Sequence, residues 1–230
     1  MTVDGNEASD GRWTLAAVLS GVVLAYSGVL RAGFVWDDLG IVVGNSLTAD
    51  LSRWPEYFVS DLWRGTPDGS GGTSEGDSGY YRPLMVLSLA LERRLFGLSP
   101  WVAHVHSVLW HLLATAMVWR LLRRVLGENP ASVPPLGVVG ASAAGALLFG
   151  LHPIQSEAVI WVAARNDLMA AALGMVALDR GLQHRPTHVD RGIALVATIL
   201  AGLTKESVVL LPLLLACLHH AMGWRLRDRK

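Results

Sequence analysis

Residues 13–38 read WTLAAVLSGVVLAYSGVLRAGFVWDD, an apolar run from about Trp13 to Gly33 followed by two adjacent carboxylates, Asp37 and Asp38. The run is close to the roughly 20 residues that cross the hydrocarbon core of a bilayer, and this decides the class of the fold. A cleavable signal peptide is the competing reading. It fits less well, because the head from Met1 to Asp10 is acidic, the stretch is long for a signal core, and more apolar segments follow. Ionisable groups at the edge of a span are costly and tend to mark sites of function, so the acid pair is the first candidate for chemistry.

Working outward, hydrophobic residues make up 52% of the chain, charged residues 17%, and the mean hydropathy is +0.39. A soluble domain has a different balance, so membrane lipid is an expected partner. Zero formal charge and a pI near 7.1 leave no concentrated basic surface for phosphodiester backbones, and no nucleic-acid partner is expected. The single cysteine, Cys217, lies in an apolar run and can form no disulfide within the chain.

Further apolar stretches occupy about 101–122, 136–151 and 167–182. The stretch 193–222 is interrupted by Thr204-Lys205-Glu206, which divides it into 193–203 and 207–222. The chain thus reads as an all-α integral membrane protein of about six transmembrane helices, with a short head, 1–12, and one membrane domain over 13–230. Arginine collects at 120, 123 and 124, at 180, 185 and 191, and, with Lys230, at 225, 227 and 229. With six spans these regions fall on one face. The basic excess makes that face cytoplasmic, with both termini on it. A bacterial inner membrane fits this arrangement.

The long first loop, 34–100, then faces outward, since long loops translocate largely regardless of charge. Residues 66–79 are dominated by Gly, Ser, Asp and Thr, a composition that cannot bury enough apolar surface to order itself, and are expected to form a flexible insertion. On either side, Leu51, Trp54, Tyr57, Phe58 and Leu62 approximate helical spacing, and 81–96 mixes apolar residues with Arg82, Glu92, Arg93 and Arg94. Both are expected as helices lying in the membrane interface. Trp13, Trp36, Trp54, Trp63, Trp101 and Trp224 flank spans or lie in the loop, as aromatic belts require.

Three outward ends carry polar residues: Trp36-Asp37-Asp38, His152-Pro153-Ile154-Gln155-Ser156-Glu157, and Thr204-Lys205-Glu206. Pro153 suits a helix start. A helix beginning there would carry Glu157, Trp161, Arg165 and Leu168 on one side, so that an acid, an aromatic ring and a base line one cleft.

Phe34-Val35-Trp36-Asp37-Asp38, Tyr81-Arg82-Pro83-Leu84, the segment His104 to His111, His152-Pro153-x-x-x-Glu157, Arg165 with Asp167, and Thr204-Lys205-Glu206 resemble, in order, the amino-terminal half of TMTC-type O-mannosyltransferases. Those are multispan GT-C glycosyltransferases followed by tetratricopeptide repeats. The resemblance implies a lipid-linked sugar phosphate as donor, mannose on polyprenyl or dolichyl phosphate. It implies a Ser or Thr hydroxyl of an acceptor polypeptide, and transfer on the extracytoplasmic face. It also implies a catalytic carboxylate in the first outward loop, here Asp37 or Asp38. Lys205, Arg165 and Arg82 are the matching candidates for the donor phosphate, by point charge for Lys and by fork for Arg. Glu157 would orient the acceptor, hold an active-site cation or share the base role. Trp36, His152, Trp161, Asp167 and Glu206 would support these groups. The sequence names no certain cofactor, and a divalent cation stays open. This chain shows no internal period near 34 residues and stops at Lys230, so it reads as a fragment or as a truncated relative.

Plainer roles compete at each position. Asp37 and Asp38 suit a turn, Glu157 and Arg165 an interfacial ion pair, Lys205 and Glu206 a mutual neutralisation, and Arg82 a snorkelling cation. His104 and His111 share a helix face but His106 does not, which favours packing and hydrogen bonding over a metal site; His219 and His220 are expected to cap the cytoplasmic end. A transporter would also place charge at a broken helix, as Thr204-Lys205-Glu206 allows. A noncatalytic assembly subunit would use the small residues of 140–145 for packing.

Overall fold

The computed structural model describes residues 3–67, 79–128, 133 and 136–221, and every regular element among them is helical. In chain order these are α1 (Val3–Tyr26), α2 (Trp54–Tyr57), α3 (Pro83–Phe96), α4 (Pro100–Gly127), α5 (Gly137–Leu151), α6 (Gln155–Ile160), α7 (Arg165–Gly181), α8 (His188–Gly202) and α9 (Leu211–Ala221). Short 3-10 turns extend α1 to Arg31 and precede α2, α7 and α9; a π-type turn occupies Leu39–Val43. Helix α1 begins at Val3, within the expected head, and its membrane-length stretch begins at Gly11. Most of the insertion at 66–79, the arginines beyond 222 and Trp224 lie outside the described residues.

Local sequence explains the boundaries. Pro83 and Pro100 sit in the first turns of α3 and α4, where the missing N–H costs nothing. Gly97, at φ +70°, ends α3 in a conformation that other residues rarely adopt. Thr187 and Asp190 form a reciprocal capping box at the start of α8.

Helix α4 is the centre of the bundle, packed against α1, α5 and α7, while α7 also packs against α8. Two stretches, Gly11–Arg31 and Pro100–Gly127, are long and apolar enough to cross a membrane; Gly137–Leu151 and Glu206–His220 are shorter apolar helices. The other expected spans also fall on helices, but α7 carries ionisable residues in both terminal turns, which shortens its apolar part. Six spans therefore stay an expectation.

The bundle has two distinct ends. At one, Arg123 lies against Gly11, Arg124 donates to Leu182 O (3.0 Å) and His184 meets Glu128 (3.0 Å). At the other, Asp38 meets Ala163, Arg165 meets Ala103 and Leu84 N–H donates to Leu203 O. Over this second end the first loop forms a cap with a core of its own, in which Ile41, Leu47, Tyr57, Leu62, Met85 and Leu89 pack on Ala103 and Val162. Tyr57 OH donates to Asp50 O (2.9 Å) and is 3.1 Å from Leu47 O, while Arg93 reaches the carbonyls of Val42 and Val43 at 3.2 and 3.1 Å. Of the two segments expected as interfacial helices, 81–96 forms α3 and 51–62 is helical only over 51–57; both serve this cap as packed elements.

Candidate functional site

The two carboxylates of the opening motif have different environments. Asp38 is fully buried. Its Oδ2 accepts from Val35 N–H (3.2 Å), which closes a tight turn in which Asp38 N–H donates to Val35 O (3.0 Å). Its Oδ1 accepts from Ala163 N–H at 2.7 Å, so one side chain ties the loop to the turn before α7. Burial pushes the Asp38 carboxyl above the ordinary carboxylate range, opposed by the N–H groups of Val35, Ala163 and Val162. Asp37 is half-buried, and its carboxylate has no hydrogen-bond or ion-pair partner among the described residues.

The turn forces Trp36 to φ +50°, a left-handed conformation costing an L-residue roughly 1–2 kcal/mol. Its ring, 79% exposed, meets the Trp161 ring edge-on at 6.2 Å. The Asp38 anchor and this aromatic pair hold the same two segments together, and Asp37 lies between Trp36 and Asp38 in the chain.

The expected single helix from Pro153 through Leu168 is not what forms. Helix α6 ends at Ile160, Trp161 is extended at ψ 111°, and α7 begins at Arg165 after one 3-10 turn. Glu157, Trp161 and Arg165 therefore do not share a helix face. Glu157 is exposed, and His152, also exposed, accepts from Ile154 N–H through Nδ1 (3.2 Å). Helix α5 ends where Gly150 O meets His111 Nε2 (2.9 Å), eight residues along α4 from the Ala103 carbonyl on which Arg165 docks. That is roughly 12 Å along the helix at 1.5 Å per residue.

Arg165 is 1% exposed. It donates to Ala103 O (2.9 Å) and pairs with Glu92 (2.9 Å), which also bonds His106. Arg165 thus has Glu92, not Glu157, as its carboxylate partner, and its place is the interior. Sequence reasoning passed over Glu92 although a signal exists, since Met85, Leu89 and Glu92 follow at four and three residues and lie on the buried face of α3.

Two other cations pair across elements. Lys205 bonds Asp167, and Arg82 pairs with Glu206 at 3.4 Å, so Lys205 and Glu206 do not neutralise each other. Arg82 lies 4.8 Å from the Tyr80 ring centroid. The Asn166 amide, oriented to satisfy both neighbours, accepts from Arg82 Nη1 (3.3 Å) and donates to Ala163 O (3.0 Å). Hydrogen bonds thus link Asp38 to the N–H of Ala163, and the C=O of that residue to Asn166, Arg82 and Glu206, next in the chain to Lys205. The pairs differ in kind. The carboxylates of the first two pairs are open, Glu206 at 60% and the Asp167 side chain at 41%, over half-buried cations, whereas Arg165 and Glu92 are 1% and 7% exposed. Exposed pairs exchange partners at little cost; a buried one does not.

A groove of about 340 Å³ opens between α7 and the segment 205–214. Asp167 and Lys205 stand in its lining, and Ala170, Gly174, Met175, Leu178, Leu211 and Leu214 make the rest mostly apolar. Among the described residues no group of three or more His, Cys, Asp or Glu side chains is placed to hold a metal. His104 and His111 are buried, and His111 stacks on Phe149 and meets Tyr26 edge-on.

No family model and no solved structure matches the chain. Curated proteins do. The chain is 34% identical over 205 residues to "Protein O-mannosyl-transferase Tmtc2" of Drosophila melanogaster, covering 86% of this chain and 20% of that protein. It is 32% identical over 166 residues to "Protein O-mannosyl-transferase TMTC1" of Mus musculus (70% and 16%), and 27% identical over 175 residues to mouse TMTC3 (76% and 17%). The chain spans about a fifth of the length of the curated relatives it matches. Over most of its own length, then, this chain is homologous to the TMTC-type protein O-mannosyl-transferases, the family that its acid pair and its Arg82, Arg165 and Lys205 motifs resemble.

Proposed function

We propose that this chain carries part or all of a membrane glycosyltransferase site that moves mannose from a polyprenyl-phosphate donor to a Ser or Thr hydroxyl of a polypeptide, on the outward face of a six-span GT-C-like bundle. The observation that carries the reading is the division of labour in the acid pair. Asp38 spends both oxygens on backbone N–H groups, which leaves Asp37 as the free carboxylate beside an exposed tryptophan. Asp37 acts as the general base. It takes the hydroxyl proton as the acceptor oxygen bonds the anomeric carbon, the bond from that carbon to the phosphate oxygen breaks, and its electron pair leaves with the lipid phosphate. Trp36 and Trp161 offer ring faces to the sugar or the acceptor.

Positive charge at the leaving phosphate is supplied by Lys205 and Arg82, whose partners Asp167 and Glu206 are exposed enough to be exchanged for phosphate. The apolar groove that Lys205 lines accepts the first isoprene units of the donor. Arg165 stays on Glu92 and holds α7 in register. Glu157, exposed one turn before Trp161, belongs to the acceptor side.

The test is mannose transfer from a polyprenyl-phosphate donor to a Ser/Thr peptide by the chain in lipid nanodiscs, comparing wild type with Asp37→Asn and Lys205→Ala. Asp37→Asn is expected to lose transfer by a factor of about 100 or more, the scale of a general base, with donor binding kept. Lys205→Ala is expected to weaken donor binding. Full transfer by Asp37→Asn rejects the base role.

A further inference from the structure

At the end of the bundle away from the acid pair, three guanidinium groups converge on one buried carboxylate. Asp179 Oδ1 accepts from Arg124 Nη2 (2.9 Å), while Arg120 Nε (2.9 Å) and Arg180 Nε (3.6 Å) both address Oδ2. Both terminal nitrogens of Arg124 are committed, since its Nη1 also donates to Leu182 O. Arg180 gives Nη1 to Asp190 (3.2 Å), and Arg123 lies over the Trp119 ring at 5.0 Å. Among the described residues, Arg120, Arg124 and Arg180 thus gather about two carboxylates, Asp179 and Asp190.

One arginine would have satisfied Asp179. Arg120 and Arg180 both turn Nε to it; the Arg180 fork gives Nη1 to Asp190, while the Arg120 fork is left off both carboxylates. Arg120 is 45% exposed, and its two Nη groups have no acceptor among the described residues. The Arg120 fork beside the remaining Nη group of Arg180 matches the oxygens of a phosphate, to which arginine forks donate paired hydrogen bonds. The level is marked as well. Trp13 on α1 and Leu136 before α5 are exposed at this same end, the aromatic and apolar signature of a membrane boundary.

We infer that Arg120 and Arg180, held by Asp179, form a binding site for the phosphate of an anionic membrane phospholipid at the end of the bundle opposite the acid pair. Basic pockets between helices on that side of a membrane have the chemistry for such head groups. The lipid phosphate would meet the Arg120 fork and fasten α4 to α7.

The experiment measures the thermal unfolding midpoint in nanodiscs of phosphatidylcholine alone and of phosphatidylcholine mixed with phosphatidylglycerol. Wild type is expected to unfold at a higher temperature in the mixed discs. Arg120→Gln is expected to lose that rise, and Arg94→Gln, an exposed arginine at the other end, to keep it. A wild type indifferent to phosphatidylglycerol, or Arg120→Gln with the full rise, overturns the proposal. Inorganic phosphate added to phosphatidylcholine discs, with ionic strength matched by chloride, is expected to do nothing. A rise equal to that with phosphatidylglycerol would make the site one for soluble anions and reject the lipid. Should Arg120→Gln fail to fold, Arg120→Lys keeps the charge on Asp179 but not the fork; an undiminished response to phosphatidylglycerol in that variant also rejects the site.

Discussion

Adjacent residues of one type can do opposite work, and Asp37 and Asp38 are such a case. Removing the Asp38 side chain strands the N–H groups of Val35 and Ala163, each worth about 1–3 kcal/mol when buried without a partner. Asp38→Ala should therefore be clearly less stable than wild type in denaturant titrations. The pH dependence carries a sign. A carboxyl held above its ordinary value binds its proton more tightly in the folded chain, so its contribution to stability falls as pH rises from the ordinary range through the raised value. The stability gap between wild type and Asp38→Asn, which does not titrate, is expected to narrow in that direction; a gap that widens contradicts the burial argument. The cations divide in the same way. Arg165→Ala leaves Glu92 buried without its charge partner and should cost about 3–5 kcal/mol. Lys205→Ala breaks a part-exposed pair and should cost about 1 kcal/mol or less.

Among elements, the break at Trp161 matters most. A continuous helix from Pro153 would have kept Trp161 in a helical turn and so off the segment that Asp38 grips. The extended residue and the 3-10 turn instead present the Ala163 N–H to Asp38 and seat α7 with Arg165 pointing inward. The second critical contact is where α5 meets α1 and α4. A Cβ on Gly150 would lie 2.7 Å from Val22 Cγ2 and 3.1 Å from Thr115. Val22 and Thr115 are fully buried, and Val22 is stiff at χ1. Gly150→Val is expected to lose about 1–3 kcal/mol through overpacking. The midpoint of chemical unfolding checks this, and an unchanged midpoint would mean that α5 shifts freely.

For the molecule as a whole, the two ends differ in kind: at one, arginines converge on the buried Asp179; the other has the cap, the acid pair and the exchangeable ion pairs. This polarity is what an orientation in a membrane would use. In a Cys217→Ser background, a cysteine at the exposed position Val59 in the cap should react with an impermeant thiol reagent added from outside intact cells, and one at Arg185 should not. The reverse pattern inverts the topology.

Much of this organisation is legible in the chain. The positions of the helices, the grouping of arginines at one end, the motif set and the separate status of 34–100 follow from apolar run length, charge distribution and the residues themselves. These are local quantities, fixed by hydropathy over a window and by propensity. What tertiary structure alone decided is pairing. Whether Arg165 faces Glu157 or Glu92, whether Lys205 meets Glu206 or Asp167, and which of two neighbouring aspartates is buried depend on contacts between segments far apart in sequence. A charge in a poorly solvated setting takes whichever partner the packing brings within reach, and spacing along the chain does not say which one arrives.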